Sequence, residues 1–400
     1  MIDLADRVTN IPPSATIALI RRAAELRKEG RQVTSLIAGE PDFNTSEPIR
    51  QAGIAAIRAG DTRYSPGDGT PELREAIAAK LKRDNGLDYT PDEVVVANGT
   101  KPLLHAAFLT LCNPGDEVIV PAPYWVSYPE IVRLAGAEPV SVPCGLEHGF
   151  LLQPEDLEKA ITPRTRVLLL NSPNNPTGAI YDRAQLAALY AVLERHPQVS
   201  VVTDEIYEHL VYDGVEYVSP AAISDTARAR TVVINGFSKG YVMMGWRLGF
   251  AAGPKPVIRG MSNMLSHLAG SPNSISQAAA IEALNGDQGY QETNREVYRA
   301  RRDMTFAMVN QMPGLKAVRT SGSFFVFASC EGVIGRRTEA GEPIGSDADF
   351  ARLAIDHAGV LIVPGAAFGM SPFLRISYSM DTDELRAALE RLRRFCNSLS

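Results

Sequence analysis

Five short apolar runs constrain this 400-residue chain more than any other feature. Val94–Ala97, Glu117–Val120, Thr165–Leu170, Val199–Thr203 and Val232–Ile234 are rich in β-branched residues, the signature of strands buried on both faces. Stretches with helical spacing, such as Pro102–Leu111 and Arg183–Arg195, separate them. Parallel strands need crossovers of that kind, so the pattern predicts an α/β fold around a mainly parallel sheet flanked by helices. Each run ends in small or polar residues, and open sheets of this class bind ligands beyond the carboxyl ends of their strands.

Those ends are the candidate site. Asn98-Gly99-Thr100-Lys101 leads into a helix, where unpaired N–H groups and the helix dipole favour an anion such as a phosphate. Trp125 follows a strand among prolines; it either covers a flat ring or fills a hole in the core. Two prolines and a glycine in Asn171–Gly178 leave Asn175 as a rigidly placed amide. Asp204, at the end of a buried strand in Asp204-Glu205-Ile206-Tyr207, calls for a cationic partner. Lys239 comes after Val232–Ile234 and the turn Asn235-Gly236, with Ser238 before it and Arg247 eight positions on. Alone, that segment is equally well two strands joined by a loop with a solvated lysine.

Near the N-terminus, Pro12-Pro13-Ser14 stops the chain and caps a helix over Thr16–Lys28. Ser35–Ala38 reads as a strand leading to Gly39, which is either a backbone contact to a ligand or a plain turn. Tyr64 lies in an exposed loop. After Phe250 the chain is helical, with a long helix over Gln288–Gln311 acting as a strut. Strands at Leu315–Arg319, Ser323–Ala328, Val360–Val363 and Phe373–Tyr378 and helices at Asp347–Ala358 and Thr382–Phe395 then make a second, smaller α/β domain. Residues 331–346 read as a solvated loop. The division is a large domain over 46–287 and a small one from 1–45 and 288–400.

Charge excludes some function classes. With 40 basic and 46 acidic residues the net charge is −6, which argues against a nucleic-acid partner. No apolar run is long enough for a membrane span, and the N-terminus has no signal-peptide pattern. Cys112, Cys144, Cys330 and Cys396 are far apart, fitting reduced thiols and a cytoplasmic location; no cysteine or histidine spacing suits a metal.

Taken together, Ser238 through Gly245-Trp246-Arg247, Asn171–Gly178 and Asp204-Glu205-Ile206-Tyr207 resemble the fold-type I, class I aminotransferases that use pyridoxal 5'-phosphate. The resemblance runs from about Val8 to Phe395 and is nearest to bacterial aspartate aminotransferases. It implies a ping-pong transamination through an imine of Lys239, which then moves the proton at the substrate Cα. Asp204 would face the cofactor's protonated ring nitrogen, and Tyr207 its phenolic oxygen. Gly99, Thr100, Ser238 and Arg247 match the phosphate cup, with Tyr64 entering from the neighbour in a homodimer. Trp125 matches the ring-stacking residue. Asn175 and Arg375 match the grip on the substrate α-carboxylate, and Gly39 a backbone contact. Lys101 matches the bacterial residue that reaches the distal carboxylate of aspartate, with 2-oxoglutarate the expected acceptor.

This sequence departs from that pattern twice. Pro12 stands where prephenate-accepting members tend to have lysine, and Leu265–Pro272 lacks both the Gln and Thr of bacterial relatives and the arginine of the animal-type subgroup. Aromatic amino acids or prephenate, a carbon–sulfur lyase on the same scaffold, and a non-catalytic sensor are the alternatives.

Overall fold

The computed structural model describes residues 3–9 and 15–400, so Pro12, Pro13 and Ser14 lie outside the described residues. Seven strands form the main sheet: β1 (Val94–Ala97), β2 (Glu117–Ala122), β3 (Glu138–Pro143), β4 (Thr165–Asn171), β5 (Ser200–Asp204), β6 (Thr231–Gly236) and β7 (Gly249–Ala252). Their order is β1-β7-β6-β5-β4-β2-β3, and every neighbouring pair is parallel except the two made by β7. The expected parallel sheet is therefore present. No apolar run marks its edge strand β3, in which only Val142 is buried and Pro139 and Pro143 take two of the six positions.

Strand alternation splits the core in two. Val95, Val120, Val167, Val202 and Ile234 face a helix layer containing Thr100–Leu111, Tyr128–Leu134 and Lys255–Leu268. Val94, Val96, Val233 and Phe250 face the other layer, with Pro71–Asn85 and Ser274–Asn285, while Ile119, Leu168 and Val201 pack on Arg183–Leu193. A strand buried on both faces has no polar side to show, which is why these runs read as continuous apolar stretches.

The helix Gly289–Val309 leads to a second, antiparallel sheet. Its strands are β8 (Lys316–Ala317), β9 (Phe325–Ser329), β10 (Val363–Pro364) and β11 (Phe373–Ser377), in the order β10-β11-β9-β8. Helices Asp347–Ala358 and Thr382–Asn397 pack with it around Phe350, Leu353, Leu389 and Leu392. Two expectations change here. The strand expected over Ser35–Ala38 is only Thr34–Ser35, paired in parallel with Val360–Leu361, before the chain runs on as an irregular strap. Residues 331–346 are not simply solvated: Val333, Thr338 and Ile344 are buried and Arg337 bridges Pro343, because Val333 and Ile344 join the second core.

Candidate active site

The carboxyl ends of the parallel strands converge with the strap Ile37–Phe43 and with β11. Arg375 comes from the middle of that antiparallel sheet, opposite Phe327 and Val363. A cleft of about 450 Å³ there is lined by Ala38, Gly39, Glu40, Ser238, Lys239, Met244, Gly245 and Arg247.

Lys239 sits on the turn after β6, and its ammonium donates to Gly39 O at 2.5 Å. Burial lowers its pKa to about 8, with Arg247 and Arg375 adding to the effect and Glu40 and Asp204 opposing it. An amine near that value is partly neutral at physiological pH and can act as nucleophile or base.

Asp204 ends β5 fully enclosed. The expected cationic side chain is not its hydrogen-bonded partner: among the described residues its carboxylate accepts from Tyr128 Oη at 2.7 Å and Ile206 N at 3.3 Å. Burial lifts its pKa to about 6 despite those bonds and the charge of Lys239. A buried carboxylate without an ion-pair partner, near enough to Lys239 to feel its charge, fits a ligand with a positive ring nitrogen. Tyr128 had no motif to announce it; only the packing of helix Tyr128–Leu134 brings its hydroxyl to β5. No local pattern marks Asn171 as a positioning group either. It ends β4 level with Asp204, donates to Asp204 O at 2.8 Å and accepts from Asn175 N at 2.9 Å.

Asn175 Oδ1 in turn accepts from Arg375 Nη1 at 3.0 Å, and Arg375 Nη2 donates to Ile37 O at 2.9 Å. The guanidinium lies between the rings of Phe325 (4.4 Å) and Phe368 (4.9 Å), and burial lowers its pKa to about 10. Its Nε is buried without a partner, a donor left for a carboxylate. Tyr207 is buried beside it, edge-on to Phe324 and Phe325, and burial raises its pKa.

At the end of β1, Gly99 has φ +102° and opens helix Thr100–Leu111 without any side-chain cap, so the first N–H groups of that helix are free for an anion. A Cβ on Gly99 would stand 2.5 Å from Arg247 Nη2, and one on Gly249 would stand 3.0 Å from Thr100 N. Those two glycines keep the Arg247 guanidinium and the helix N-terminus together, with half-buried Ser238 on the adjoining turn. That cradle fits a phosphate. Trp125 is half-buried, edge-on to Tyr128 at 5.3 Å, with Lys101 Nζ 4.8 Å from its ring centroid. Of the expected site residues, Tyr64 stands apart: it is 99% exposed, while Ser65 beside it is held by Gln277 Nε2 at 2.9 Å.

The chain is similar to known proteins in both sequence and fold. The family model "Aminotransferase class I and II" matches residues 31–392. The aspartate/prephenate aminotransferase of Cereibacter sphaeroides is 49% identical over the full length of both chains. The aspartate aminotransferase of Rhizobium meliloti strain 1021 is 46% identical, covering 99% of this chain and 97% of its own. A crystal structure of the Rhizobium meliloti aspartate aminotransferase superposes with a TM-score of 0.98 at 45% identity, covering 100% of both chains. The Thermus thermophilus aspartate aminotransferase solved with maleate gives 0.91 at 43% identity, over 99% of this chain and 100% of that one. By sequence over nearly its whole length and by fold, the chain belongs to the class I and II aminotransferases.

Proposed function

We propose that this pyridoxal-phosphate-dependent aminotransferase takes its amino group from L-aspartate and passes it to 2-oxoglutarate, using the residues gathered above. When bound, the cofactor supplies an electron sink for the pair left at the substrate Cα. Gly99, Thr100, Ser238 and Arg247 would hold its phosphate, Trp125 its ring face, Asp204 its ring nitrogen, and Tyr207 and Asn175 its phenolic oxygen. Lys239 would anchor the cofactor and, as an amine of lowered pKa, would hold and move the proton at the substrate Cα. Arg375 takes the α-carboxylate with its free Nε, in a position already fixed by Asn175, Ile37 and two aromatic rings. Gly39 contributes its backbone, whose carbonyl holds the Lys239 ammonium.

Lys101 is the observation that carries the substrate. Its ammonium lies against Trp125 and pairs with no carboxylate among the described residues; burial first, then Arg247, lowers its pKa. A second carboxylate on the substrate gives it a partner, and the Thermus thermophilus relative was solved with maleate, a dicarboxylate. Lys101 is exposed in the ligand-free chain, so the pair is desolvated only where the bound substrate closes over it. Truncating one partner of such a pair costs about 2–5 kcal/mol, and Lys101→Ala should lower kcat/KM for aspartate tens- to thousands-fold. Phenylalanine should lose much less. An equal loss on both would assign Lys101 to the phosphate and remove the basis for a dicarboxylate. Prephenate belongs in the same assay as an acceptor, because several relatives are named aspartate/prephenate aminotransferases.

The two sheets with their own helix layers support a large domain over 46–287 and a small one from 1–45 and 288–400, with the site between them. Exposed Tyr64, with exposed Ile54, Ile57, Met264 and Leu268, supports a homodimer in which Tyr64 reaches the neighbour's phosphate. A cytoplasmic location is supported by four buried free cysteines; no helix among the described residues is long and apolar enough to cross a membrane.

A further inference from the structure

A second polar cluster lies behind the active-site turn, in the opposite helix layer from Tyr128. Helix Pro71–Asn85 buries Lys80 completely, and its ammonium meets the Glu208 carboxylate and Asn85 Oδ1, the latter at 2.7 Å. Asn85 Nδ2 donates to the other Glu208 oxygen at 2.7 Å. What remains of this neutral pair is spent on the turn that carries Ser238 and Lys239. Asn235 Nδ2 donates to Glu208 Oε1 at 2.7 Å, and Asn235 Oδ1 accepts from Gly236 N at 2.7 Å. At the far end of the turn, Gly240 lies against the ring of His209: a Cβ there would stand 2.5 Å from His209 Cδ2. That ring is 4.9 Å from Tyr241, and its Nε2 stands 3.3 Å from Glu208 Oε1 without hydrogen-bond geometry, so His209 reaches Gly240 by packing alone.

We propose that Glu208, neutralised by Lys80, is a positioning residue that grips the turn Gly236–Gly240 from behind, at Asn235 directly and at Gly240 through His209, and so sets where Lys239 stands relative to Asp204. The inference rests on Lys239 being the cofactor-linked amine. Stability is a poor explanation of the cluster, since a buried ion pair can often be replaced by apolar residues of similar volume without loss. Geometry offers a better one. Asp204 and Glu208 lie one turn apart on a single buried segment, Asp204 facing Tyr128 and Glu208 facing Lys80. One rigid segment thus fixes the ring-nitrogen partner on one side and the lysine turn on the other. A displacement near 1 Å at such a turn is enough to cost about a hundredfold in rate.

The test compares two double variants that leave no unpaired buried charge. Lys80→Met with Glu208→Met removes the grip on Asn235; Lys80→Met with Glu208→Gln keeps a hydrogen-bond acceptor for it. The first should lower kcat about tenfold to a hundredfold at similar KM. It should also move the pH midpoint of the bound cofactor's yellow absorbance by about half a unit or more, and the second should return both toward wild type. On the cofactor-free full chain, the pH profile of Lys239 acylation by an amine reagent, read by peptide mass, should shift likewise. Wild-type kcat and acylation profile in the Met/Met variant would overturn the proposal. If that variant does not fold, His209→Ala decides, since it leaves the ion pair in place: a shifted acylation profile at unchanged Tm supports the grip, and an unshifted one overturns it. Failure of the Lys239 reading is separable, because Lys239→Ala would then retain its borohydride-fixed cofactor.

Discussion

Replacing Tyr128 by phenylalanine removes one hydroxyl and keeps the ring that meets Trp125 edge-on. The bond lost is the one of 2.7 Å to Asp204 Oδ2, inside a pocket where both residues are buried. A hydrogen bond to an ionised carboxylate contributes about 1.5–3 kcal/mol, so the proton affinity of Asp204 should rise about tenfold to a hundredfold. In the cofactor-free chain burial has already lifted that carboxyl from 3.8 to about 6. A group raised on folding stabilises the fold below its unfolded pKa, and the contribution is lost as pH rises through the folded value. For Asp204 that window is roughly pH 4 to 6, and the difference is about 3 kcal/mol. On the proposed role, ionised Asp204 is also the form that would offer a counter-charge to the cofactor. Cofactor affinity measured by equilibrium titration should therefore rise as pH passes about 6 in the wild type. In Tyr128→Phe the same rise should come about one to two pH units higher. In thermal unfolding, the loss of stability of the cofactor-free variant should begin near the same pH of about 4 but extend to an upper limit raised by the same amount. Coincident midpoints in the two proteins would refute the assignment of Tyr128 as the group that keeps Asp204 ionised.

Three further outcomes are open to direct measurement. Lys239→Ala should bind the cofactor through the phosphate cradle yet lose turnover and the borohydride-fixed cofactor seen in peptide mass spectra; near-normal transamination would remove Lys239 from its role. Gly99→Ala places a Cβ 2.5 Å from Arg247 Nη2 at a positive φ, so affinity for the cofactor should fall about tenfold or more while affinity for phosphate-free pyridoxal is unchanged. Mixing Lys239→Ala with a Tyr64→Ala chain of impaired activity should recover activity, since one site of the mixed dimer then has both its own lysine and the neighbour's tyrosine; no recovery would place Tyr64 outside the site.

The strands buried on both faces, their helical crossovers and the small polar residues at their ends were legible in the sequence, because a parallel sheet covered on two sides admits little else. The same runs located Lys239, Asp204, Asn175 and the Gly99-Thr100 turn, since each stands at, or within a few residues of, the carboxyl end of a strand. Long-range placement was not legible. The residues around Arg375 carry no signal of their own, and only the family resemblance singles it out; its place is set when β11 pairs with β9 and Phe368 and Phe325 enclose its guanidinium. Tyr128 and Lys80 sit on helices with no local pattern to distinguish them, and their roles appear only when opposite helix layers close on the segment Asp204–Leu210. Local chemistry is set by neighbours in the chain; the pKa of Asp204 and the reach of Lys239 are set by what packs against them from elsewhere, and tertiary structure alone decides that.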